Sequence, residues 1–328
     1  MFDIYTKRPG TKGIRYWHIK KGISHIDEKI RTVDKYVLVK TLFNEFNVSK
    51  SIIINLIGIK KSSYYYWVKE VKTQRDIENK ILYDIIKSIW QDSRKTYGAV
   101  RIHKKLRKLG LEVNIKRVRR LMKENQIKSI IHKKFRNYNK SEDIKETTKN
   151  ILKRNFDTEK LNEKWVSDIT YIWTKKDRWC YLSSIMDLHS RRIISHKVGK
   201  FMDIKLVIDT LKMAIYKRGD TTNLIIHTDR GSQYMSKEYR KFCAKKGISI
   251  SYSRKGNPYD NACIESFHAT LKKEYVHNEN FESLESLRSR MYEYIEIWYN
   301  NSRIHSKIGF TSPNEYEESI KKGNKEIA

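Results

Sequence analysis

The feature that most restricts the fold is a change of hydrophobic pattern near residue 155. Beyond it, three short runs rich in Val, Ile, Tyr and Trp follow one another: Trp165 to Trp173, Trp179 to Met186 and Arg192 to Val198. Tight polar connections, Lys175-Lys-Asp and Leu188-His-Ser, join them. Aromatic and β-branched residues between turn formers favour strands, and connections this short favour an antiparallel meander. The pattern then alternates between helix and strand: Ile204 to Tyr216 (helix), Asn223 to His227 (strand), Lys237 to Lys245 (helix) and Ile248 to Tyr252 (strand). A loop holding Gly256 and Pro258 leads to a helix from Ala262 to Tyr275. The order β-β-β-α-β-α-β-α specifies an α/β domain, a mixed sheet with helices. A further amphipathic helix, Leu284 to Tyr299, precedes a basic and polar tail.

Upstream, the periodicity is helical. Val37, Leu38, Leu42 and Phe46 fall at helical spacing within Lys35 to Phe46. Ser49 can cap a second helix through Ile57, Gly58 can end it, and Ser62 or Ser63 can cap a short third. These elements fit a helix-turn-helix and a small helical bundle equally well. Tyr64-Tyr-Tyr-Trp reads as helix packing in preference to base stacking. Tyr97 to Leu109 predicts a helix with Val100, Leu106 and Leu109 inward and a ridge of Arg101, Lys104, Lys105 and Lys108 on another face. Gly110 ends it and Asn114 caps the next helix, which runs to Glu124. That helix buries Val118, Leu121 and Met122 and turns Lys116, Arg117, Arg119, Arg120 and Lys123 outward. Helix, glycine turn and basic helix form a geometry suited to a DNA major groove, with a solvated charged face as the competing account. The organisation expected is an arm (1–34), a helical DNA-binding region (35–130), a basic linker (131–154), the α/β core (155–280) and a C-terminal helix and tail (281–328).

Charge supports a polyanionic partner. The chain has 69 Lys and Arg against 38 Asp and Glu, a net +31. Residues 1–150 carry +22 of it and residues 151–328 only +9. Lysine-rich composition alone explains the total but not the asymmetry, whereas phosphate neutralisation explains both. The longest apolar run, Ile52 to Ile59, is broken by Asn55 and Gly58 and is too short for a membrane span. The N-terminal residues lack a signal pattern, so a cytoplasmic, nucleoid-associated location is expected. Three widely spaced cysteines, Cys180, Cys243 and Cys263, with no Cys-x-x-Cys, argue against a disulfide framework and a cysteine zinc site.

Three acids stand out by position. Asp168 interrupts an aromatic, β-branched run, where a charge needs a partner. Asp229 follows the apolar run Leu224-Ile-Ile at the carboxyl end of a strand, a common place for chemistry in α/β folds. Glu265 stands in the first turn of a helix, and Lys272 lies two turns later on the same face. Each acid alone is equally a cap, a turn former or a dipole partner. Together, and without cysteine, they suit a hard cation such as Mg2+ or Mn2+. Two such ions can serve an in-line phosphoryl displacement.

Trp165-Val-Ser-Asp-Ile-Thr-Tyr, His227-Thr-Asp-Arg-Gly-Ser-Gln-Tyr and Asn257-Pro-Tyr-Asp-Asn-Ala-Cys-Ile-Glu-Ser-Phe-His resemble the three signatures of the DDE integrase core, with 35 residues between Asp229 and Glu265. The nearest likeness is to the OrfB transposases of the third family of bacterial insertion sequences. Ser62-Ser-Tyr-Tyr-Tyr-Trp, Tyr97-Gly-Ala-Val-Arg-Ile, Asn114-Ile-Lys-Arg-Val-Arg-Arg-Leu-Met, Tyr299-Asn-Asn-Ser-Arg-Ile-His and Ser312-Pro agree with it. The resemblance covers about residues 45–318. It implies an RNase H-like core in which Asp168, Asp229 and Glu265 are catalytic and bind Mg2+ (Mn2+ substituting), as two ions. It implies DNA strand cleavage at the element's ends, then strand transfer. The expected partners are terminal inverted repeats, target DNA, further copies of the chain, and an upstream helix-turn-helix partner or frameshift fusion.

Lys272, Arg101, Lys104, Lys105, Lys108, Arg117 and Arg120 are the expected DNA contacts. His227, Asn257 and Asn261 are expected to orient the ligands by hydrogen bonding, although turn chemistry explains Asn257-Pro-Tyr-Asp as well. Asp187 reads as a turn residue. Arg303 and His305 match the family pattern with no role assigned. Residues 1–45 do not resemble the separately encoded partner, and the zinc domain of retroviral integrases is absent. The competing functions are a non-catalytic DNA-binding regulator and an RNase H-like nuclease. Three intact acids argue against the first and the Asp229-to-Glu265 spacing against the second.

Overall fold

The computed structural model describes residues 31–46, 48–69, 73–130, 150–254 and 258–323. Nearly all of the expected arm, most of the linker, and Asn257 lie outside these residues. The chain divides into two compact units, 1–82 and 83–328, so the boundary falls inside the helical region and not at the linker.

The first unit contains α1 (Thr32–Phe46), α2 (Lys50–Ile57) and α3 (Lys61–Val68). Val39, Ile53, Ile54, Ile57 and Tyr64 form its core. Gly58 ends α2 in the left-handed conformation at φ 72°, which a side chain would strain. Tyr36 and Trp67 each bring a ring centroid to 6.1 Å from that of Tyr64, so the Tyr-Tyr-Tyr-Trp run is indeed anchored by packing.

Helix α4 (Gln74–Asp92) spans the boundary and was not expected from periodicity. Its signal is a reciprocal cap: Thr73 N–H donates to Asp76 Oδ2 at 3.0 Å while Asp76 N–H donates to Thr73 Oγ1 at 3.1 Å. Helices α5 (Ala99–Lys108) and α6 (Ile115–Glu124) follow, with Gly110 at φ 79° between them. Asn114 caps α6 by accepting from Lys116 N–H at 2.8 Å. Val118, Leu121 and Met122 are buried as expected. The inward stripe of α5 needs correction: Ile102 and Leu106 are buried, while Val100 and Leu109 are 47% and 63% exposed. Ile102 and Leu106 thus make the inward face, and Arg101 Nη1 lies 3.6 Å from Glu274.

Five strands form one sheet: β1 (Lys164–Thr174), β2 (Arg178–Asp187), β3 (Ile193–Gly199), β4 (Ile225–Thr228) and β5 (Ser249–Tyr252). Their order is β3-β2-β1-β4-β5, antiparallel across β3-β2-β1 and parallel across β1-β4-β5. This is the expected RNase H-like mixed sheet. Parallel pairs need crossovers, supplied by α7 (Ile204–Arg218) and α8 (Lys237–Lys245). One sheet face buries Trp165, Ile185 and Ile226 with Val207, Leu211, Tyr239 and Cys243. The opposite face receives α9 (Ala262–Glu274).

Helix α10 (Leu284–Tyr292) continues as a π-helix over Glu293–Asn300 and not as one regular helix to Tyr299. The tail closes in α11 (Pro313–Lys321), announced by a Ser312–Glu315 capping box. Buried Glu317 of α11 accepts from Ser190 Oγ at 2.6 Å and Arg192 at 2.9 Å, and pairs with Arg218. Tyr97 Oη, just before α5, accepts from Ile304 N–H at 2.8 Å. The last residues of the expected linker also pack on the core: Leu152 is buried and its N–H donates to Ser251 Oγ at 2.9 Å. Among the described residues, no helix is long and apolar enough to cross a membrane.

Candidate active site

The register of β1 against β4 pairs Val166 with His227 and Ser167 with Thr228, so Asp168 and Asp229 come next in line. Alternation puts both on the α9 face of the sheet, one strand spacing apart. Asp229 stands just beyond β4 in a turn that starts at its own side chain: Gly231 N–H donates to Asp229 Oδ1 at 2.9 Å. A Cβ on Gly231 would lie 3.1 Å from that oxygen, so a larger residue here would push the Asp229 carboxylate by a few tenths of an ångström. Burial pushes the Asp229 carboxyl pKa up, the Asp168 charge adds to this, and the Gly231 N–H opposes it. Below the pair, buried Tyr234 places its hydroxyl 3.0 Å from Ser167 Oγ.

Helix α9 presents Glu265, His268 and Lys272 on one face, at i, i+3 and i+7. His268 is buried, with Nδ1 3.3 Å from Asp168 Oδ2 and Nε2 3.3 Å from Ser184 Oγ. Asp168 and Ser184 are cross-strand partners, so one imidazole spans adjacent positions of β1 and β2. Sequence reasoning missed His268. The signal was its place between Glu265 and Lys272 on the helical face. Lys272 Nζ lies 4.3 Å from the Tyr171 ring centroid. Among the described residues, no three His, Cys, Asp or Glu side chains converge as a ready-made metal cage. The two aspartates are thus brought together, and Glu265 stands on the neighbouring helix without closing a three-ligand cluster.

His227 is buried and donates to or accepts from Ser251 Oγ at 2.9 Å, and burial pushes its pKa down to about 4. Asn261 is buried at the start of α9 and makes no side-chain cap. Asp260 beside it is a structural hub: Arg154 Nε and Arg254 Nε donate to it at 2.7 and 3.0 Å, and Asn150 Nδ2 at 2.9 Å. Asp187 is fully buried and accepts from the N–H groups of Asn162 and His189, the expected turn role.

The expected basic ridge of α5 is partly engaged by other segments, with Lys104 and Lys108 still exposed. Arg101 faces Glu274, Lys104 lies over the Phe310 ring and Lys108 Nζ donates to Glu315 at 2.9 Å. Lys105 is half-buried, and burial lowers its pKa. On α6, Lys116, Arg119, Arg120 and Lys123 are exposed, Arg117 is half-buried, and Arg120 lies 3.5 Å from Glu124. Helix α6 therefore carries the more open basic face.

Residues 158–258 and 246–313 match models described as the integrase core domain, and residues 76–135 match an HTH-like domain. The latter spans α4, α5 and α6. The chain is 36% identical over 249 residues to the "Transposase for insertion sequence element IS904" of Lactococcus lactis subsp. lactis (strain IL1403), covering 75% of this chain and 96% of that protein. It is 32% identical over 286 residues to the "Transposase InsF for insertion sequence IS3A" of Escherichia coli (strain K12), covering 86% and 98%. Among solved structures, the HTLV-2 integrase catalytic core domain in complex with magnesium aligns at 18% identity and a TM-score of 0.37, covering 47% of this chain and 95% of that one. With two relatives above 30% identity along nearly their whole length, and with integrase-core and HTH-like regions in the same order, this chain belongs to the OrfB transposases of the third bacterial insertion-sequence family.

Proposed function

We infer that this chain is a DDE transposase, a polynucleotidyl transferase that cuts DNA at the ends of an insertion sequence and joins those ends to new DNA. The observation that carries this reading is the half-buried Asp168–Asp229 pair beside the α9 face bearing Glu265, His268 and Lys272. The donor set fits a hard divalent cation. Two like charges held together in a partly dry site are relieved by a cation, and Mg2+ typically takes one or two carboxylates and completes its shell with water and phosphate oxygens. Asp168, Asp229 and Glu265 are the ligands, with Mg2+ as the ion, Mn2+ as substitute and two ions as the number. When bound, such ions supply Lewis-acid stabilisation and a more acidic water.

The chain's own residues hold this arrangement. Gly231 N–H fixes the Asp229 carboxylate, His268 orients Asp168, and Lys272 supplies positive charge for a phosphate. In cleavage, a water oxygen bonds to phosphorus as the P–O3′ bond breaks, leaving a free 3′-OH. In joining, that 3′ oxygen bonds to a target phosphorus while the target's own P–O3′ bond breaks. Helix α6, through Arg117 and Arg120, lies against duplex DNA. The partners are terminal inverted repeats, target DNA, further copies of the chain and an upstream partner or frameshift fusion, all on the bacterial nucleoid.

The test compares the chain with Asp229→Asn on a labelled duplex carrying a terminal repeat of the element, with Mg2+ or Mn2+ and with the upstream partner fused. Metal-dependent nicking and strand joining by the unsubstituted chain, absent from the variant, is expected. Cleavage retained by Asp229→Asn overturns the site.

A further inference from the structure

On the side of α9 opposite Glu265, His268 and Lys272 lies a second concavity, of about 490 Å³, between α5, α9 and the Tyr299–Lys307 segment. Five cations line it, Arg101, Arg154, Arg191, Arg303 and Lys307, against a single carboxylate, Asp157. Some of this charge is already answered. Buried Glu274 accepts from Arg303 Nε at 2.8 Å and Nη2 at 2.7 Å and faces Arg101, while Arg154 reaches Asp260. Arg191 is different. Its Nη1 donates to Cys263 Sγ at 2.8 Å, and no carboxylate among the described residues lies within ion-pair distance of it. The field is felt at His305 on the rim: burial first, then Arg303, Arg191, Arg101 and Lys307, drive its pKa down to about 3. Tyr299 and Phe267 give the concavity an aromatic wall.

We propose that this concavity is a phosphate-binding subsite for DNA, separate from the catalytic face, that takes one or two consecutive phosphodiesters of a strand already engaged by α6. Fork-shaped guanidinium groups match phosphate oxygens bidentately, and Arg191 and Lys307 hold the uncompensated charge. DNA is the source of the phosphate because α5, which lends Arg101, is joined to the basic helix α6 through only the Gly110 turn. A strand seated here lies across α9 from the catalytic aspartates, about one helix diameter away, so it is not the strand segment being cut. The Tyr299-Asn-Asn-Ser-Arg-Ile-His motif thereby gains a role: Arg303 and His305 build the wall of the subsite.

Cys263 is a built-in reporter. It is half-exposed in the concavity, whereas Cys180 and Cys243 are buried. A thiol reagent should therefore label native protein at Cys263, and Cys263→Ser should abolish that labelling. The inference rests on the transposase reading, so DNA binding is measured in the same samples by fluorescence anisotropy. With duplex at about ten times its Kd, labelling is expected to slow about tenfold, following 1 + [L]/Kd. In Arg191→Gln/Lys307→Gln, with unchanged Tm, protection should fall away while binding through α6 persists, and the log–log salt slope should drop by about 2. Bound DNA with undiminished labelling overturns the subsite and leaves the transposase reading standing. Protection by inorganic pyrophosphate but not by bound DNA overturns DNA as the occupant. Unchanged protection in the double variant removes the two cations from it. Absence of any DNA binding removes the underlying reading and the inference together.

Discussion

His268 Nδ1 stands 3.3 Å from Asp168 Oδ2, which ties the helix carrying Glu265 to the central strand through a side chain outside the three acids. The imidazole is buried and also reaches Ser184 Oγ, so its ring orientation is fixed from two strands. Partners of this kind set the aim of a ligating carboxylate, and their loss typically costs about 10–100-fold in metal affinity. His268→Ala is therefore expected to raise the Mg2+ concentration needed for half-maximal strand cleavage by about tenfold or more. His268→Gln, which keeps a donor, should recover part of it. An unchanged metal titration would assign His268 to packing alone.

Asp229→Asn should stabilise the protein in EDTA, because it removes one of two neighbouring, half-buried like charges. The unsubstituted chain should gain Tm on addition of Mg2+ and the variant should not. Scanning calorimetry with and without metal checks both. A metal-induced rise of equal size in the variant would place the cation elsewhere.

Glu274 is buried and accepts hydrogen bonds from Arg303 Nε and Nη2. Glu274→Ala leaves a buried guanidinium without its counter-charge and is expected to cost about 3–5 kcal/mol in urea unfolding. Replacing Glu274 and Arg303 together by apolar residues should cost less than Glu274→Ala alone, since only the half-buried Arg101, and no longer the buried Arg303, then lacks its counter-charge. Equal losses would mean that packing, not pairing, is what the two residues contribute.

Asp260 gives stability a specific acid dependence. Burial raises its pKa, but bonds from Arg254 and Arg154 outweigh this and hold the carboxyl well below its ordinary 3.8. The unfolded chain therefore takes up the proton first. The stabilisation is complete above that value and is lost as pH falls below it toward the folded-state pKa. Asp260→Asn should flatten the acid limb of a stability–pH curve in that window. A limb of unchanged steepness would rule Asp260 out as its source.

Replacing Arg117 and Arg120 by Ala should weaken duplex binding and reduce the slope of log K against log salt by about 2, at roughly 0.9 per phosphate contact. An unchanged slope would take α6 off the DNA.

Much of this architecture was legible because local signals and tertiary packing agree. Strands β1 to β3 announced themselves by β-branched and aromatic runs, Asp168 by a charge set inside such a run, and Asp229 by its place at the carboxyl end of an apolar strand. Two differences from expectation, at α5 and His268, share a cause: contacts between distant segments. Ile102 and Leu106 of α5 are the residues buried, with Arg101 facing Glu274, so Val100 and Leu109 point outward. His268 looked like an ordinary helix residue until β1 and β2 gave it neighbours. Helices α4 and α11 were a different failure, since their capping boxes at Thr73 and Ser312 were present in the sequence and unread.

The hydrogen bond from Ile304 N–H to Tyr97 Oη links positions 207 residues apart. A ribosome that has finished α5 must still polymerise nearly the whole core before that donor exists, roughly 10–40 s at ~5–20 residues per second. Until then Tyr97 and Arg101 wait without their partners. A product terminated early would thus carry α5 in an incomplete setting. The last tenth of the chain completes the setting of a helix made long before it.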